Sequence, residues 1–333
     1  MVEIGLPGGV SAEATALVDI GVVPERRGRG FARALVTAAL NQALARGEAI
    51  AVLNTDIIGL YERFGFGVAT TAWSATLSAK GDADRRVGDA VRLIDAAVAA
   101  RLLPEIFSTS QHHRVGEVLR TSSWWEEHLA DAARGSVPTE FAVVERDGNQ
   151  VGYVAFVRPL RQSTPVLVAE LIAQDDEDAA ELLDFVRGVI GGDRVHLRSQ
   201  PFDVIAALDG LASQHESSPQ LWLRILDVVK ALSLRRYAAS SSTVLLVNDE
   251  LLEVNRDRFL LETYDDGTAA VTRSAEAAAI TLDVSALASV FLGGSTFGEL
   301  AVAGEIVVND DSALTSLDRA FALTRAPFCS TLL

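Results

Sequence analysis

The N-terminal part of the chain alternates between short apolar runs and one amphipathic segment. Val2 to Leu6 is typical of a strand end, and Pro7-Gly8-Gly9 of a turn. The nearly continuous apolar run from Ala14 to Val23 predicts a buried strand. A helix is predicted from about Phe31 to Ala45, ended by Gly47. The apolar positions of that helix are Phe31, Ala34, Leu35 and Ala38.

The next apolar segments continue this order of strands and helices. Ala49 to Leu53 predicts a strand, and Ile57 to Arg63 a short helix. A further strand is predicted from Phe64-Gly65-Phe66-Gly67 through Thr76. The charged stretch from Lys80 to Arg86 indicates a domain boundary, because a segment this polar has no apolar face to bury.

Two further regions follow the boundary. In the first, Asp147-Gly148-Asn149 lies between two apolar runs and predicts a hairpin. Val166 to Ile172 predicts a buried strand and Ala179 to Ile190 a helix. The polar stretch from Ser213 to Pro219 is interpreted as a second linker. After it come an α/β unit, several strands, and helices near 284–292 and 312–323. The predicted domains are therefore 1–83, 84–215 and 216–333.

Composition narrows the class of protein. A chain of 333 residues with 49% hydrophobic and 22% charged residues is typical of a soluble protein with several domains. It has no apolar run long enough to span a membrane and no secretion signal at its N-terminus. A single cysteine, Cys329, excludes an intramolecular disulfide and favours a cytoplasmic location. The net charge of −16 disfavours nucleic acid and anionic membranes as partners and favours cationic small molecules.

The loop before the first predicted helix carries the clearest chemistry. Arg27, Gly30 and Ala32 lie in the pattern Arg-x-x-Gly-x-Ala between a strand and a helix. Backbone N–H groups in a loop of small residues, opening into a helix N-terminus, form an anion site suited to a pyrophosphate, and arginines strengthen it. Taken alone, this pattern also fits a generic strand–loop–helix with a polar loop.

A second motif and the chain end support a specific resemblance. The first motif resembles the acetyl-CoA signature of GNAT acetyltransferases, and Tyr61 to Phe66 is similar to the closing motif of that fold. The apolar C-terminal segment from Ala326 to Leu333 is similar to the tail of the enhanced intracellular survival family. Ser123-Trp124-Trp125-Glu126, Trp222 to Val228 and Phe291 to Gly294 are similar to segments of the other domains of that family.

The resemblance implies an α/β (α+β) chain of tandem GNAT-like domains, the first one incomplete, followed by a sterol-carrier-protein-like C-terminal domain. It implies an N-acetyltransferase that uses acetyl-CoA and a cationic amine substrate such as an aminoglycoside or a lysine side chain. Tyr61 is the implied proton donor, and the α-carboxylate of Leu333 the implied proton acceptor. The implied acetyl-CoA contacts are Ile20, Gly21, Val22, Arg27, Gly28, Arg29, Gly30, Phe31, Ala32, Arg33, Asp56 and Ile57. The family has a small, serine-like residue where this chain has Asp56.

The remaining features give further expectations. We expect a backbone N–H at a bulge in the Ala14 to Val23 strand to stabilise the oxyanion. The acidic loop from Ala173 to Asp178 would repel a pyrophosphate, so the second GNAT-like domain is predicted to be a silent scaffold. No metal site is expected, because His112 and His113 are adjacent and their side chains would diverge from a single site, and because His128, His196 and His215 lack ligand spacing. The resemblance also implies a homo-oligomer, often a hexamer.

The start of the sequence raises one difficulty. A GNAT fold begins with a strand, two helices and a hairpin before the strand at Ala14 to Val23, and these elements are absent from the sequence pattern. We therefore expect an exposed sheet edge, and a chain that binds acetyl-CoA but acetylates poorly. Two other functions stay open: a non-catalytic acetyl-CoA-binding or scaffold protein, and a lipid carrier acting through the C-terminal domain.

Overall fold

The computed structural model describes residues 1–57, 59–78, 90–111, 114–134, 139–158, 164–189, 194–208 and 212–333. The predicted boundary from Lys80 to Arg86 lies outside these residues, as do His112 and His113. The division predicted between residues 83 and 84 therefore stays a prediction.

The elements alternate in the order expected for a mixed α/β chain. The strands are β1 Val2–Leu6, β2 Val10–Ala16, β3 Ile50–Leu53, β4 Phe66–Ser78, β5 Val91–Ile94, β6 Thr139–Arg146, β7 Asn149–Val157, β8 Val166–Ala173, β9 Arg194–Gln200, β10 Ala212–Ile225, β11 Ser241–Asn248, β12 Asp257–Thr263, β13 Ala269–Arg273, β14 Ile280–Asp283 and β15 Ile306–Val308. The α-helices are α1 Phe31–Ala45, α2 Ala96–Gln111, α3 Ser122–Arg134, α4 Asp176–Val189, α5 Phe202–Ala207, α6 Val228–Leu234, α7 Val284–Phe291, α8 Phe297–Ala303 and α9 Asp311–Phe321.

These elements form two compact units. The first comprises Met1–Thr71, His113–Val118 and Pro219–Leu333, and the second comprises Ala72–His112 and Leu119–Ser218. Because β4 and β10 are long, each contributes residues to both units.

One sheet of the first unit has the strand order β1-β2-β3-β10-β4. β1 and β2 are antiparallel, β2 and β3 are parallel, and β10 is antiparallel to β3. Successive side chains of β3 enter different clusters, as the pleat of a strand requires. Ala51 and Leu53 pack with the buried face of α1, while Ile50 and Val52 belong to the cluster that includes the C-terminal helices. β3 therefore lies at the centre of this unit.

The other sheet of the first unit has the order β13-β12-β11-β14-β15. The side chain of Arg235, which is 1% exposed, is held among α7, α9 and two aromatic rings. Its guanidinium donates to the Phe291 carbonyl at 2.6 Å and to the Phe321 carbonyl at 3.4 Å, and both carbonyls lie at helix C-termini. The negative ends of two helix dipoles therefore stabilise this buried charge.

The second unit has the strand order β4-β9-β8-β7-β6-β5. A buried ion pair between Arg120 and Glu170 lies inside it, and Tyr153 donates its hydroxyl hydrogen bond to Glu170 at 2.7 Å. Burial alone raises the pKa of Glu170, but the Arg120 charge and these hydrogen bonds outweigh it and hold the pKa below its usual range. The hairpin predicted at Asp147-Gly148-Asn149 joins β6 to β7 as expected.

Several predicted elements differ from the structure. The strand predicted from Ala14 to Val23 is β2, which begins at Val10 and ends at Ala16. The short helix predicted at Ile57 to Arg63 is a loop followed by a 3-10 turn over Glu62–Phe64. The linker predicted from Ser213 to Pro219 is part of β10. From Gln214 to Pro219 its side chains are exposed or half-buried. A strand that presents polar residues to solvent has the same composition as a loop, so the sequence pattern does not distinguish the two.

The apolar face predicted for α1 is also wrong. Phe31 and Leu35 are 43% and 55% exposed, whereas Val36, Leu40 and Ala43 are buried. Alanines recur around this helix, so the apolar residues can be assigned to more than one face.

The exposed sheet edge expected from the sequence is not found at β1. Gly5 donates its N–H to the Glu117 carbonyl at 2.9 Å, and Gly116 donates to the Gly5 carbonyl at 2.8 Å. Ile4 and Val118 form a further antiparallel bridge. A Cβ at Gly5 would meet the Arg114 carbonyl oxygen at 2.4 Å, so this close approach requires glycine. The segment 114–118 therefore pairs with the edge of β1 opposite β2.

Candidate active site

The loop between β2 and α1 forms an open, positively charged helix N-terminus. Gly30 is the N-cap of α1 with φ of 79°, and no side chain caps the helix. The first hydrogen bond of the helix is from the Ala34 N–H to the Gly30 carbonyl at 2.9 Å. The N–H groups of Phe31, Ala32 and Arg33 therefore keep their donor capacity, as the first turn of a helix does.

The same loop leaves space for a ligand at both of its glycines. A Cβ at Gly28 or Gly30 would meet no atom within 4 Å, and both residues have positive φ. The arginines of the loop and first turn are exposed: Arg26, Arg27, Arg29 and Arg33. The first turn of α1 contains no acidic residue. Open backbone donors, a helix N-terminus and nearby arginines fit the pyrophosphate of acetyl-CoA.

β2 and β3 separate just before this loop. Their parallel pairing ends at Ala16 with Val52, and the Leu17 N–H then donates to the Val52 carbonyl at 2.9 Å. Beyond this point Asp19 takes a left-handed conformation with φ of 53°. The N–H groups of residues 18–22 donate no hydrogen bond to any residue that the structure describes. An extended ligand chain could pair with these donors, and one of them could meet an oxyanion.

Asn54, the residue after β3, binds the end of the chain. Its Oδ1 accepts a hydrogen bond from the Leu333 N–H at 2.8 Å. Its Nδ2 donates to the Gln220 carbonyl at 2.6 Å, which fixes the orientation of the amide. The terminal residue is therefore held at the carboxyl end of β3, next to the point where β2 departs.

Tyr61 lies on the face of β3 that packs against α1. It is half-buried beside Phe64 and Phe66, with a ring separation of 5.9 Å from Phe66 in an edge-on arrangement. It contacts the cluster that contains Ala51 and Leu53. Burial raises the pKa of the Tyr61 hydroxyl, so this side chain is protonated at neutral pH. Its hydroxyl has no hydrogen-bond partner among the described residues, which leaves it available to donate to a ligand.

A cavity of about 620 Å³ is lined by two neighbours of this tyrosine but not by Tyr61 itself. Its lining includes Phe66, which contacts Tyr61, and Glu62, the next residue in the chain. The other carboxylates that line it are Asp283 and Glu305, and three serines contribute hydroxyl groups. The buried Trp222 Nε1, which also belongs to a lining residue, has no hydrogen-bond partner among the described residues. This lining suits a polar, cationic ligand.

The structure places the sequence-predicted site residues in one unit and around one strand pair. Ile20, Gly21 and Val22 lie in the loop after β2, and Arg27 to Arg33 form the helix N-terminus. Asp56 and Ile57 lie in the loop after β3, both exposed. Tyr61 and Leu333 pack against different clusters of β3 residues, and Asn54 links Leu333 directly to the end of that strand.

Sequence reasoning missed two residues of this site, Asn54 and Glu117. Glu117 is fully buried and binds the residues before Leu333. It lies in Val115-Gly116-Glu117-Val118-Leu119, where a single carboxylate between apolar residues was a signal of a buried, hydrogen-bonded charge. Asn54 gave a weaker signal, a polar residue that ends an apolar strand.

The described histidines have structural surroundings. His128 stacks on Trp124 at 4.4 Å between ring centroids, and burial lowers its pKa. His196 Nδ1 lies 3.2 Å from the Thr76 hydroxyl. No cluster of metal-ligating side chains occurs among the described residues. Within the same ranges, no helix has both the length and the apolar character needed to cross a bilayer.

Family models match three successive parts of the chain. An acetyltransferase (GNAT) domain matches residues 1–69, a second acetyltransferase (GNAT) domain matches residues 116–225, and a sterol carrier protein domain matches residues 228–330. The chain therefore has tandem GNAT domains followed by a sterol-carrier-type domain. The GNAT domains imply the use of acetyl-CoA, and the open helix N-terminus lies in the first of them.

Known proteins are similar to this chain over nearly its whole length. The N-acetyltransferase Eis of Mycobacterium tuberculosis strain CDC 1551 is 30% identical over 96% of this chain and 81% of its own length. An uncharacterized N-acetyltransferase of Streptomyces griseus is 28% identical over 98% of this chain and 83% of its own length. The crystal structure of Eis1 from Mycobacterium abscessus superposes with a TM-score of 0.85 and 29% identity, over all of this chain and 85% of that one. With its domain order, its open helix N-terminus and these relatives, the chain belongs to the Eis family of GNAT N-acetyltransferases.

Proposed function

We propose that this enzyme transfers the acetyl group of acetyl-CoA to a primary amine of a cationic substrate, of the aminoglycoside or lysine type. The observation that carries the proposal is the hydrogen bond from Leu333 N–H to Asn54 Oδ1, which holds the chain terminus at the end of β3. The helix N-terminus of α1 supplies the matching anion site in the same unit. Coenzyme and terminal carboxylate would then meet where β2 and β3 separate.

The proposed contacts follow from the open donors of the loop. The N–H groups of α1 and the side chains of Arg27, Arg29 and Arg33 bind the pyrophosphate. The N–H groups of residues 20–22 pair with the extended part of acetyl-CoA, and one N–H of this loop stabilises the oxyanion. Asp56 and Ile57, both exposed in the loop after β3, are the remaining proposed contacts, and the carboxylate of Asp56 adds no favourable contact to a phosphate.

Each proton has a defined donor or acceptor in this mechanism. The acetyl thioester supplies the electrophile, and the amine nitrogen forms a bond to its carbonyl carbon as the C–S bond breaks. The α-carboxylate of Leu333 accepts the proton that the amine loses. Tyr61, whose raised pKa keeps its hydroxyl protonated, donates a proton to the leaving thiolate.

The cationic substrate class is supported by the cavity that is lined by Glu62 and Phe66, two neighbours of Tyr61. Glu62, Asp283 and Glu305 line its surface, and an ammonium group near several carboxylates is stabilised by their charge. Replacing Glu62 and Asp283 by glutamine and asparagine should raise KM for an aminoglycoside about 10-fold while leaving KM for acetyl-CoA unchanged. An unchanged KM for the amine would place the cationic substrate elsewhere.

Release of free thiol from acetyl-CoA in the presence of an aminoglycoside tests the proposal. Tyr61→Phe should lower kcat about 100-fold, and deletion of Leu333 should do the same, because each removes one proton-transfer group. Tyr264→Phe, at an exposed tyrosine of the same unit, is the matched control and should leave kcat unchanged. Acetyl-CoA binding without any thiol release would support the alternative of a non-catalytic binding protein.

We also propose an oligomeric state and a cellular location for this enzyme. A homo-oligomer, of the hexameric type, is expected from the family, and mass measurement of the native protein in solution tests it. A cytoplasmic location is expected from the single cysteine, which would stay reduced there.

A further inference from the structure

The C-terminal tail runs beside the segment 114–118 in the same chain direction. The Phe328 N–H donates to the Val115 carbonyl at 2.9 Å, and the Thr331 hydroxyl donates to the Val118 carbonyl at 3.1 Å. Both pairs are separated by the same number of residues, so the two segments stay in register over this length. Phe328, Cys329 and Thr331 are at most 3% exposed. The tail is therefore a docked strand-like segment and not a loose terminus.

The carboxylate of Glu117 binds two consecutive tail residues. Its Oε2 accepts from the Ser330 N–H at 2.9 Å and from the Ser330 hydroxyl at 2.8 Å. Its Oε1 accepts from the Thr331 N–H at 3.1 Å and from the Thr331 hydroxyl at 2.9 Å. Glu117 is 0% exposed, so these bonds form without competition from water. Oε1 also lies 3.8 Å from the Cys329 Sγ, so the carboxylate contacts three consecutive tail residues, and a shift of the tail by one residue would break this pattern.

Backbone hydrogen bonds with β1 fix the position of Glu117. Its carbonyl accepts from Gly5 in β1, and the Gly116 N–H donates back to Gly5. Gly116 has φ of 87°, and a Cβ there would meet the Thr70 methyl at 2.7 Å. This tight packing leaves Glu117 little freedom to move. The position of Ser330 and Thr331 is therefore defined relative to β1.

We propose that Glu117 is a positioning residue that sets where the α-carboxylate of Leu333 lies in the active site. Asn54 holds Leu333, and Glu117 holds the two residues that lead to it, Ser330 and Thr331. Glu117 acts through the tail and contacts no substrate. This inference rests on the proposed role of Leu333 as the base. It adds that a buried carboxylate, far from Leu333 in sequence, fixes the position of that base.

Glu117→Gln tests the inference because it keeps the size of the side chain but replaces one acceptor oxygen by a donor. That donor would face the N–H and hydroxyl of Ser330 or Thr331 and weaken the docking. We expect kcat to fall about 10-fold to 100-fold, since a misplacement of about 1 Å costs that much, with KM for acetyl-CoA nearly unchanged. Glu276→Gln, at an exposed glutamate of the same unit, is the matched control.

Cys329 supplies a readout that does not depend on activity. It is the single cysteine of the chain, and it is 0% exposed in the docked tail. Its Sγ donates weakly to the Thr331 carbonyl at 3.2 Å and to the Glu117 carboxylate at 3.8 Å. In Glu117→Gln, modification of Cys329 by a thiol reagent should be about 10-fold faster than in the unaltered protein, because local opening of the tail exposes the thiol.

Thr331→Val and Ser330→Ala keep the test decisive if Glu117→Gln fails to fold. Each removes one hydroxyl donor to Glu117, and each should give a smaller change of the same kind in kcat and in thiol modification. Normal kcat and normal modification in every variant that folds would overturn the inference. If deletion of Leu333 leaves kcat intact while these variants expose Cys329, then the proposed base is wrong but the docking by Glu117 stands.

Discussion

Two loops of this chain have the same strand–loop–helix arrangement but complete the helix N-terminus in opposite ways. The loop from β2 to α1 has glycines and three arginines, the first turn of α1 adds a fourth, and no side chain caps the helix. The loop from β8 to α4 has carboxylates in the first turn, and Asp175 Oδ1 accepts from the Asp178 N–H at 2.9 Å. One helix thus presents open donors to an anion, whereas the other supplies its own anions.

The charges around the second loop support this difference. Asp178 forms an ion pair with Arg146 at 3.0 Å. Burial, followed by the nearby Asp175 carboxylate, raises the pKa of Asp178, which reflects crowding of negative charge. A pyrophosphate there would add charge of the same sign to a helix start that is already capped. We therefore propose that the second GNAT domain keeps the fold but has no coenzyme site, as its acidic loop predicts.

Gly30→Asp should give the largest effect, because it places at α1 the type of residue that caps α4. The carboxylate would occupy the open N-terminus and repel the coenzyme phosphates, so acetyl-CoA affinity should fall about 100-fold. Calorimetric titration measures the change. Gly148→Asp is the control, because Gly148 has the same positive φ and open surroundings in a hairpin of the other unit. Equal binding by Gly30→Asp would remove α1 as the phosphate site.

The arginines of the first loop should have an intermediate effect. Arg29→Ala or Arg33→Ala should weaken acetyl-CoA binding about 10-fold each at low salt, because each removes a charge-assisted phosphate contact. The loss should shrink as salt rises, since both side chains are exposed. Arg101→Ala, at an exposed arginine of α2, should bind normally. A loss that does not depend on salt would argue against a phosphate contact.

Asp175→Ala should give the smallest effect, and on stability alone. Removal of this cap should lower the free energy of unfolding by about 1 kcal/mol. Acetyl-CoA affinity should not change, because we assign the coenzyme site to the loop before α1. Denaturant unfolding and calorimetry measure the two quantities, and Asp176→Ala, in the first turn of the same helix, is the control. A change in acetyl-CoA affinity would show that the second loop contributes to binding.

The sequence alone predicted the elements whose bounds are set by nearby residues. Glycines on either side of an alanine-rich apolar run predicted α1 with its observed ends, although its buried face was assigned wrongly, and Asp147-Gly148 predicted the β6–β7 hairpin. These features depend on neighbouring residues, so they can be read without the tertiary structure.

Features set by distant residues could not be predicted in the same way. β2 ends at Ala16 because the chain leaves β3 there, although the apolar pattern continues to Val23. The pairing of 114–118 with β1 joins residues over a hundred positions apart. Glu117 and Asn54 gain their roles only through the docked tail, so no local spacing marks them as a pair.

Hydrogen exchange of the unaltered protein with and without acetyl-CoA tests the central comparison most directly. We predict slower exchange of the amides of residues 28–33 when acetyl-CoA is present, because the coenzyme phosphates accept hydrogen bonds from this helix start. The amides of residues 176–181, at the start of α4, should exchange at the same rate in both conditions. Protection of 176–181 with no change at 28–33 would contradict the account and place the coenzyme in the second domain.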